Sequence, residues 1–460
     1  MLTARLKQVW TSVAESGRNL LRLPRHRDST SSIETLALDL LSERGEATNM
    51  ARADAIFHLY RILSKEQREF FHLFLAQNFL PDSTRLRAAA EAYLAVPSPE
   101  TVAELALASE PPRHELIRRM NIAPGATALL VRMREDLLTG IRKQPQLKPL
   151  EQDLRHLLAL WFNRGFLELR RIDWNTSAAV LEKVIAYEAV HEIRGWDDLR
   201  RRLAPDRRCF AFFHPSLPEE PLIFVEVALC RGLASDIDPL LSVKTPTDGF
   251  AQADTAIFYS ISNCQPGLQG ISFGNFLIKQ VLEELRAELP GLSRFATLSP
   301  IPSFRRWLSE HVLASSETLL LPRERVSKLT AVSVEIDRAN AEHVDAETKT
   351  VFQQLLATYL TATNAGKGPE DPVARFHLGN GARLERLNWA ANLTARGIGE
   401  SMGMMVNYVY EPKMIESNHE QFVTSGRVAY SPEVGELLKR TAHGSYARSS
   451  AHGHQAQNRI

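Results

Sequence analysis

The chain has 460 residues, enough for about two or three domains with large buried cores. Its 55 lysines and arginines balance its 54 aspartates and glutamates, which argues against a general binding surface for nucleic acids or anionic membranes. The three cysteines lack metal-ligand spacing and favour a reducing compartment, and no apolar run approaches the about 20 residues of a membrane-spanning helix.

Residues 1–30 are predicted to form a flexible N-terminal extension. The segment is basic and contains serines, as transit peptides do, but Glu15 and the lack of a recognisable cleavage pattern favour a frayed extension. The chain ends in QNRI rather than in a peroxisomal Ser-Lys-Leu address. Because no organellar address is recognised, we expect a cytoplasmic protein.

Residues 31–192 are predicted to form an all-α helical bundle. Capping boxes are expected at Ser31 and Ser64, and Pro99 stands where a helix can begin. Helical periodicity continues through PLEQDLRHLLALWFNRGFLELRRI (149–172) and SAAVLEKVIAYEAV (177–190). The histidines of this region stand singly and are expected to be structural: His58, His72, His114 and His156. We expect this domain to support homo-oligomerisation, as a dimer or a tetramer.

The pattern changes near residue 193, where strands and helices begin to alternate. RRCFAFFH (207–214) and PLIFVEVALC (221–230) predict two strands joined by a turn, and TAIFYSIS (255–262) and SRFATLS (293–299) predict two more with a helix between them. Further helices and the strand GMMVNYVY (403–410) follow. We therefore predict a mixed α/β catalytic domain over 193–442, a flexible tail over 443–460, and the α+β class for the whole chain.

The connection after TAIFYSIS carries three glycines, Gly267, Gly270 and Gly274. Glycine adopts positive φ freely and lets the backbone approach a ligand closely. A helix that begins near Asn275 would add free N–H groups and the positive end of its dipole, which favours a pyrophosphate. Neither the nucleotide-triphosphate loop nor the dinucleotide fingerprint is present, and a plain strand-to-helix connection is the alternative.

The positions of Ser299 and His377 in the sequence make them candidates for functional residues. Ser299 stands at the carboxyl end of a predicted core strand, where ligands of α/β proteins gather, and Pro300 ends that strand. From position alone, such a serine is more often a turn residue or a helix cap. His377 precedes Asn380-Gly381, a pair that predicts a tight turn, and on its own it would be an ordinary loop histidine.

Six sequence blocks, in family order, carry a resemblance to the malonyl-CoA decarboxylase family: FYSIS, GLQG, GNFLIK, LSPIP, FHLGNGARLERLNW and MMVNYVY. The resemblance spans roughly residues 30–435. The catalytic domain of that family resembles the GNAT acetyltransferase superfamily, in which such a glycine loop holds the coenzyme A pyrophosphate. The resemblance implies malonyl-CoA as the substrate, acetyl-CoA and CO2 as products, and no metal or organic cofactor. The charge balance and the lack of a long apolar run, rather than the resemblance, lead us to expect no nucleic-acid or membrane partner.

The resemblance also assigns roles to single residues. Ser299 matches the catalytic serine of the family and is expected to orient the malonyl carboxylate. His377 matches the catalytic histidine and is expected to protonate the enolate, since an unperturbed histidine titrates at about pH 6.5. Tyr410, Asn407 and Ser260 are expected to support catalysis or orient the substrate. Core packing is the alternative for Tyr410, and burial of a satisfied hydroxyl is the favoured role for Ser260.

Coenzyme A binding is assigned to seven consecutive loop residues: Gln269, Gly270, Ile271, Ser272, Phe273, Gly274 and Asn275. The partner of the 3′-phosphate stays open among four basic residues: Lys279, Arg286, Arg305 and Arg306. The mammalian form of the family pattern has glutamate where this chain has Ser272. This departure argues against any mechanism that needs a carboxylate at that position.

Three other functions remain alternatives. A GNAT-type acyltransferase would use the same loop but needs a site for an acceptor amine, and the LSPIP and HLGNG blocks are not expected there. A serine hydrolase would need a Gly-x-Ser-x-Gly elbow, whereas Leu298 and Pro300 flank Ser299. A catalytically inactive acyl-CoA sensor would be expected to lack the serine or the histidine. Decarboxylation is therefore the favoured function.

Overall fold

The computed structural model describes residues 29–42, 45–243, 252–271, 274–313, 323–363 and 368–442. The chain divides into two compact units. The first comprises Met1–Glu168, Phe213–Leu222 and Gln265–Phe273, and the second comprises Leu169–Phe212, Ile223–Cys264 and Gly274–Ile460. The predicted tail over 443–460, and all but the last two residues of the predicted extension over 1–30, lie outside the described residues.

The first unit is helical, as the sequence predicts. Its helices are α1 Ser29–Leu40, α2 Glu46–Ile62, α3 Lys65–Asn78, α4 Ser83–Ala95, α5 Pro99–Ser109, α6 Pro112–Met120, α7 Ala126–Gly140 and α8 Lys148–Trp161. The capping box at Ser64 is confirmed, because its hydroxyl accepts the Gln67 N–H while the Gln67 side chain accepts the Ser64 N–H. Pro99 occupies the first position of α5, also as predicted. The box predicted at Ser31 is wrong, since α1 already begins at Ser29.

One of the isolated histidines of this unit shows how such a residue is accommodated. Nε2 of His72 lies 2.8 Å from the hydroxyl of Tyr60, which donates to Asp136 at 2.9 Å. Burial lowers the pKa of His72 to about 4, so its ring is neutral at pH 7. The surrounding core is built from leucine, isoleucine and aromatic side chains of α1–α3 and α6–α8.

The second unit contains a seven-stranded sheet and the remaining helices. The strands are β1 Glu168–Ile172, β2 Arg207–Phe213, β3 Ile223–Cys230, β4 Thr255–Asn263, β5 Arg294–Thr297, β6 Arg383–Asn388 and β7 Met405–Val409. The helices are α9 Ala178–Tyr187, α10 Trp196–Arg202, α11 Asp238–Leu241, α12 Gly274–Glu288, α13 Phe304–Leu308, α14 Arg323–Glu335, α15 Ala346–Thr361, α16 Pro372–Gly379, α17 Ala395–Ser401, α18 Ile415–Ser425 and α19 Pro432–Ala442.

Strand β1 contradicts the helical prediction for residues 149–172. Helix α8 ends at Trp161, and Asn163 accepts the Gly165 N–H at the start of a short 3-10 turn. The following segment adds to the edge of the sheet beside β2. The helical periodicity of the sequence extends past this point, but backbone pairing with an open sheet edge overrides a weak local preference.

The sheet has the strand order β1-β2-β3-β4-β5-β7-β6. β2, β3 and β4 pair antiparallel, as expected for the predicted hairpin, whereas β4 and β5 are parallel and are connected through α12. A parallel pair requires such a crossover, so the predicted strand–loop–helix–strand unit is confirmed. β7 pairs antiparallel with β5 and β6. The predicted α+β class is therefore confirmed, and the carboxyl end of β5 lies beside the middle of β7.

The strands at the centre of this sheet are buried on both faces. All residues of β2 and β7 are buried, as are all but the last residue of β3. Near-continuous apolar runs are typical of strands covered on both sides. Within the described residues, no helix is long and apolar enough to cross a membrane.

Candidate active site

Ser299 lies two residues beyond β5, at the carboxyl end predicted for it. Its N–H donates to the Val406 carbonyl at 2.8 Å, and its carbonyl accepts the Val406 N–H at 2.9 Å. This single bridge to β7 continues the pairing of β5 with β7. Both hydrogen bonds fix the backbone of Ser299, so its buried side chain has a defined direction.

His377 lies in the last turn of α16 rather than in a loop, which corrects the sequence interpretation. Asp371 caps that helix by accepting the N–H groups of Val373 and Ala374. The tight turn expected at Asn380-Gly381 follows the helix, and Gly381 has φ of 82°. The helix and the turn thus hold the imidazole at one end of a short, capped element.

A hydrogen-bonded chain links the serine to the histidine and extends beyond both. Ser299 Oγ lies 3.0 Å from His377 Nε2 and 2.9 Å from Thr297 Oγ1. On the other side of the ring, Nδ1 lies 2.8 Å from the hydroxyl of Tyr410. The chain therefore runs Thr297–Ser299–His377–Tyr410.

The proton positions in this chain follow from the partners available. No second hydrogen-bond partner of the Tyr410 hydroxyl lies in the described part of the chain, so that hydroxyl is satisfied when it donates to Nδ1 of His377. The ring proton then sits on Nε2 and points to Ser299 Oγ. Ser299 in turn donates to Thr297. This tautomer places a transferable N–H on the side of the ring that faces Ser299.

The surroundings of His377 suppress its positive charge. The ring is 3 % exposed and stacks on Tyr408, with ring centroids 4.8 Å apart. Burial lowers the pKa of His377 to about 3. The pKa of His377 therefore lies well below the ordinary value expected from the sequence, and the imidazole is neutral at pH 7.

Ser299 and His377 line a cavity of about 330 Å3 that lies within the second unit. Ser260 and Asn263 are further polar groups on its wall. Most other lining residues are apolar or aromatic: Val190, Ile223, Phe258, Tyr259, Ile261, Pro300, Pro372, Val373 and Phe376. A largely apolar cavity with a few convergent polar groups is the usual form of a small-molecule site.

The hydroxyl of Ser260 donates to the carboxylate of Glu188, which the sequence did not indicate as a site residue. Ser260 Oγ lies 2.8 Å from both carboxylate oxygens of Glu188 and donates its proton there. Glu188 also accepts the N–H groups of Val190 and His191, each at 2.8 Å. Ser260 can therefore accept a hydrogen bond in the cavity, but its one proton is already used.

Tyr410 and Asn407 lie close to the cavity without lining it. Tyr410 is 1 % exposed and reaches the site through His377. Asn407 is fully buried, and its amide donates to the carbonyls of Thr297 at 2.8 Å and Ala234 at 3.0 Å. Both donors of Asn407 are thus used inside the protein, and the side chain holds the strands that carry Thr297 and Tyr410.

Thr297, Tyr408 and Glu188 belong to the site but were missed by the sequence interpretation. Thr297 precedes Ser299 by two residues, and such residues of an extended segment share a face, so its spacing was an available signal. Tyr408 bears the same relation to Tyr410. Glu188 follows α9 in a region predicted to be wholly helical, and nothing in its neighbourhood suggested a partner on β4.

The proposed coenzyme A loop is only partly described. Arg134 of α7 donates to the carbonyls of Gly267 at 2.6 Å and Gln269 at 2.8 Å, all within the first unit. Gly270 has a φ of 78°, a left-handed backbone conformation that favours glycine. A Cβ on Gly267 would lie 1.9 Å from the Val131 carbonyl oxygen, so that glycine is required by packing against α7.

The remaining loop residues and the four basic candidates for binding the 3′-phosphate differ in their burial and in their contacts. Ser272 and Phe273 lie outside the described residues, Ile271 is half-buried, and α12 begins at Gly274, followed by Asn275. Among the candidates for the 3′-phosphate, two contact protein partners and two are exposed. Lys279 pairs with Glu416, Arg305 donates to the Ile398 carbonyl, and Arg286 and Arg306 are exposed.

No group of three or more histidine, cysteine, aspartate or glutamate side chains that could hold a metal ion occurs among the described residues. At the cavity wall, Ser299 offers a hydroxyl and His377 offers a neutral imidazole. Such a pair can hydrogen-bond an anionic substrate group and can deliver a proton to a carbon or oxygen beside it.

Comparisons with known proteins agree with one another. The family model described as the malonyl-CoA decarboxylase C-terminal domain matches residues 165–448, and the model of the N-terminal domain of the same family matches residues 79–162. The mitochondrial malonyl-CoA decarboxylase of Anser anser anser is 37% identical over 348 residues, which cover 70% of this chain and 69% of that protein.

Two solved structures of malonyl-CoA decarboxylases are similar over nearly the whole chain. That from Rhodopseudomonas palustris has a TM-score of 0.82 and 47% identity, covering 89% of this chain and 100% of the other. That from Agrobacterium vitis has a TM-score of 0.83 and 46% identity, covering 88% and 99%.

Proposed function

Because the chain belongs to the malonyl-CoA decarboxylase family, we propose that it converts malonyl-CoA to acetyl-CoA and CO2 in the cavity lined by Ser299 and His377. The observation that carries this proposal is the 3.0 Å contact between Ser299 Oγ and His377 Nε2 on the wall of a largely apolar cavity. We propose further that the reaction needs no metal or organic cofactor, since the thioester carbonyl itself accepts the electron pair.

The reaction sets the requirements that the site must meet. The bond between the α-carbon and the malonyl carboxylate breaks, its electron pair moves to the thioester carbonyl, and CO2 leaves. The resulting enolate returns the pair to the α-carbon as that carbon takes up a proton. One proton is thus consumed per turnover, and the enzyme must supply it next to the α-carbon while stabilising charge on the thioester oxygen.

We assign the proton to His377. Its imidazole is neutral at pH 7, because burial lowers its pKa to about 3. A malonyl carboxylate that enters the cavity brings an opposite charge, and an opposite charge within about 4–6 Å favours the imidazolium. The substrate and the proton therefore bind together. The protonated ring then donates through Nε2, while Nδ1–H is held by the hydroxyl of Tyr410.

Ser299 is the group between His377 and the substrate. When its hydroxyl turns away from Thr297, it can donate to the malonyl carboxylate and accept from His377 Nε2–H, so it orients the leaving group and relays the proton. Holding the breaking bond out of the thioester plane lets its electrons overlap the carbonyl π system. The loop over Gln269–Asn275 is proposed to bind the coenzyme A pyrophosphate, through backbone N–H groups near the start of α12.

The test is turnover by the purified full-length chain. Malonyl-CoA should yield CO2 and acetyl-CoA in equal amounts, and Ser299→Ala and His377→Ala should each lower kcat by at least about a hundredfold. Ser425→Ala and His343→Ala are matched controls, because both residues are exposed and lie outside the cavity lining. If the wild-type chain binds malonyl-CoA without releasing CO2, the proposal fails and the acyltransferase or sensor function takes its place.

We propose a homo-oligomer formed through the helical unit and a cytoplasmic location, as expected from the sequence. Light scattering during size-exclusion chromatography tests the first, since a monomer mass would contradict it. Fractionation of the source cells tests the second.

A further inference from the structure

A second cavity, of about 360 Å3, also lies within the second unit and shares no lining residue with the cavity at Ser299. Arg207 begins β2, lines this cavity and pairs with Ala228. At the other end of β3, Ile223 pairs with Asn263, and both line the first cavity. The five residue steps of β3 from Ala228 to Ile223 span about 17 Å at about 3.3 Å per residue. The two cavities approach more closely at Tyr259, which lines the first cavity and whose ring centroid lies 6.0 Å from Cζ of Arg207.

Arginines outnumber carboxylates around this second cavity. Arg171 and Arg208, which both line it, donate to the same carboxylate of Glu288, at 3.2 and 2.7 Å. One carboxylate cannot neutralise two guanidinium groups, so a net positive charge remains here. A bound anion would complete the pairing.

Arginines also outnumber carboxylates at the start of β2. Arg201 and Arg207 both donate to the carboxylate of Asp206, each at 2.7 Å. Arg207 is 4 % exposed, and within the described residues its Nε has no hydrogen-bond partner. Two neighbouring carboxylates are thus each shared between two arginines, and buried guanidinium groups are stabilised only when they are paired.

A flat aromatic surface lies on the same wall. The side chain of Trp174 is 47 % exposed, although an indole of this size is usually buried. The guanidinium of Arg200 lies over it, with Cζ 5.5 Å from the ring centroid. Among the described residues, no carboxylate forms an ion pair with Arg200. An exposed indole beside an arginine without an ion-pair partner suits a ligand that carries both a planar ring and an anionic group.

We propose that this second cavity binds a nucleoside phosphate, with its base on Trp174 and its phosphate groups on Arg200 and Arg171. The volume of the cavity is within the range of small-molecule sites. Asp173, the single carboxylate among the lining residues, can accept from ribose hydroxyl groups. The site is distinct from the proposed decarboxylation cavity, so the proposal stands independently of that activity.

Calorimetric titration of the full-length protein with ADP tests this proposal. The wild type should bind ADP, and Trp174→Ala and Arg200→Ala should each weaken binding by about tenfold or more. Trp174→Phe keeps a ring and should retain most of the affinity. Arg194→Ala is the matched control, because Arg194 is an exposed arginine that does not line the cavity. Ser299→Ala should bind ADP as the wild type does.

Three further ligands distinguish the contribution of the base from that of the phosphates and show whether the nucleotide is free or part of coenzyme A. Adenosine and tripolyphosphate, which supply only the base or only the phosphates, should both bind more weakly than ADP. Displacement of ADP by coenzyme A would identify the nucleotide part of that molecule as the occupant, and lack of displacement would identify a free nucleotide. Absence of ADP binding at millimolar concentration would overturn the proposal, as would equal affinity of Trp174→Ala and the wild type. Decarboxylation by Trp174→Ala and by Arg200→Ala should be unchanged.

Discussion

The hydroxyl of Tyr410 lies 2.8 Å from Nδ1 of His377, on the edge of the imidazole opposite to Ser299. The Tyr410 N–H donates to the carbonyl of Phe295 on β5, so the tyrosine is anchored to the strand that leads to Ser299. Ser299 and Tyr410, the two hydrogen-bond partners of the imidazole, are therefore both held in place by β5. This arrangement fixes the ring and its tautomer, and it makes Tyr410 a positioning residue that does not line the cavity.

Replacing Tyr410 by phenylalanine should lower kcat by about tenfold to a hundredfold with little change in KM, because Nδ1 loses the partner that holds the ring proton on Nε2. The unpaired, buried Nδ1 should also cost about 1–3 kcal/mol of stability. Steady-state kinetics and denaturant unfolding measure these effects. Tyr359→Phe is the control, since Tyr359 is buried but does not line the cavity. A kcat equal to that of the wild type would exclude the positioning role.

The protein should take up a proton as it binds malonyl-CoA at pH 7. His377 is neutral before the substrate binds, because burial lowers its pKa to about 3, and the malonyl carboxylate should raise that pKa again. Calorimetry of the Ser299→Ala variant, in buffers with different ionisation enthalpies, measures the uptake without turnover. The double variant Ser299→Ala/His377→Gln should take up no proton. Equal uptake by the two variants would show that His377 is not the acceptor.

Acid should destabilise the fold through His377. Its folded pKa of about 3 lies below the unfolded value of about 6.5, so the unfolded chain binds more protons at low pH. The associated stability is fully present above about pH 6.5 and is lost as pH falls toward 3. Between pH 7 and pH 5 the loss should be about 2 kcal/mol.

Denaturant unfolding of His377→Gln at pH 7 and pH 5 tests this expectation. The variant should lose less stability on acidification than the wild type, by about that amount. His191 and His72 are also buried with lowered pKa values, so part of the acid sensitivity should remain. His343→Gln, at an exposed position, should behave as the wild type does. An unchanged acid dependence in His377→Gln would contradict the lowered pKa.

Ser260 should matter less for catalysis than Ser299. Its proton is donated to Glu188, so it cannot donate to the malonyl carboxylate without breaking that contact. Ser260→Ala should lower kcat by less than about tenfold. Glu188→Ala should instead lower stability, because the N–H groups of Val190 and His191 lose their acceptor. A loss of kcat in Ser260→Ala as large as that in Ser299→Ala would contradict this division of roles.

The sequence predicted the position of Ser299 because the signals were local. A short β-branched strand, a following Pro300 and the glycine loop before α12 all described one strand–helix–strand unit, and that unit is present. Capping at Ser64 was predictable for the same reason. Strand β1 was not, since its pairing with a distant sheet edge left no local mark within a helical periodicity.

The pKa values and hydrogen-bond partners of the site residues could not be predicted from the sequence. The pKa of His377 depends on complete burial under Tyr408, and Ser260 depends on Glu188 from a segment more than seventy residues away. The glycines illustrate a related limit. Gly267 looked like a ligand-binding residue, yet its missing Cβ is required by the close approach of Val131. Sequence patterns gave the residue types, whereas the partners became known only from the fold.

The most direct test of the account is a double-mutant cycle on CO2 release from malonyl-CoA, with Ser299→Ala, His377→Ala and the double variant. Since the two side chains are joined at 3.0 Å and act as one proton relay, each single substitution should remove most of the activity. The double variant should then be no slower than the slower single variant, because residues that act as a unit are non-additive. Losses of activity that simply multiply in the double variant would contradict a Ser299–His377 pair.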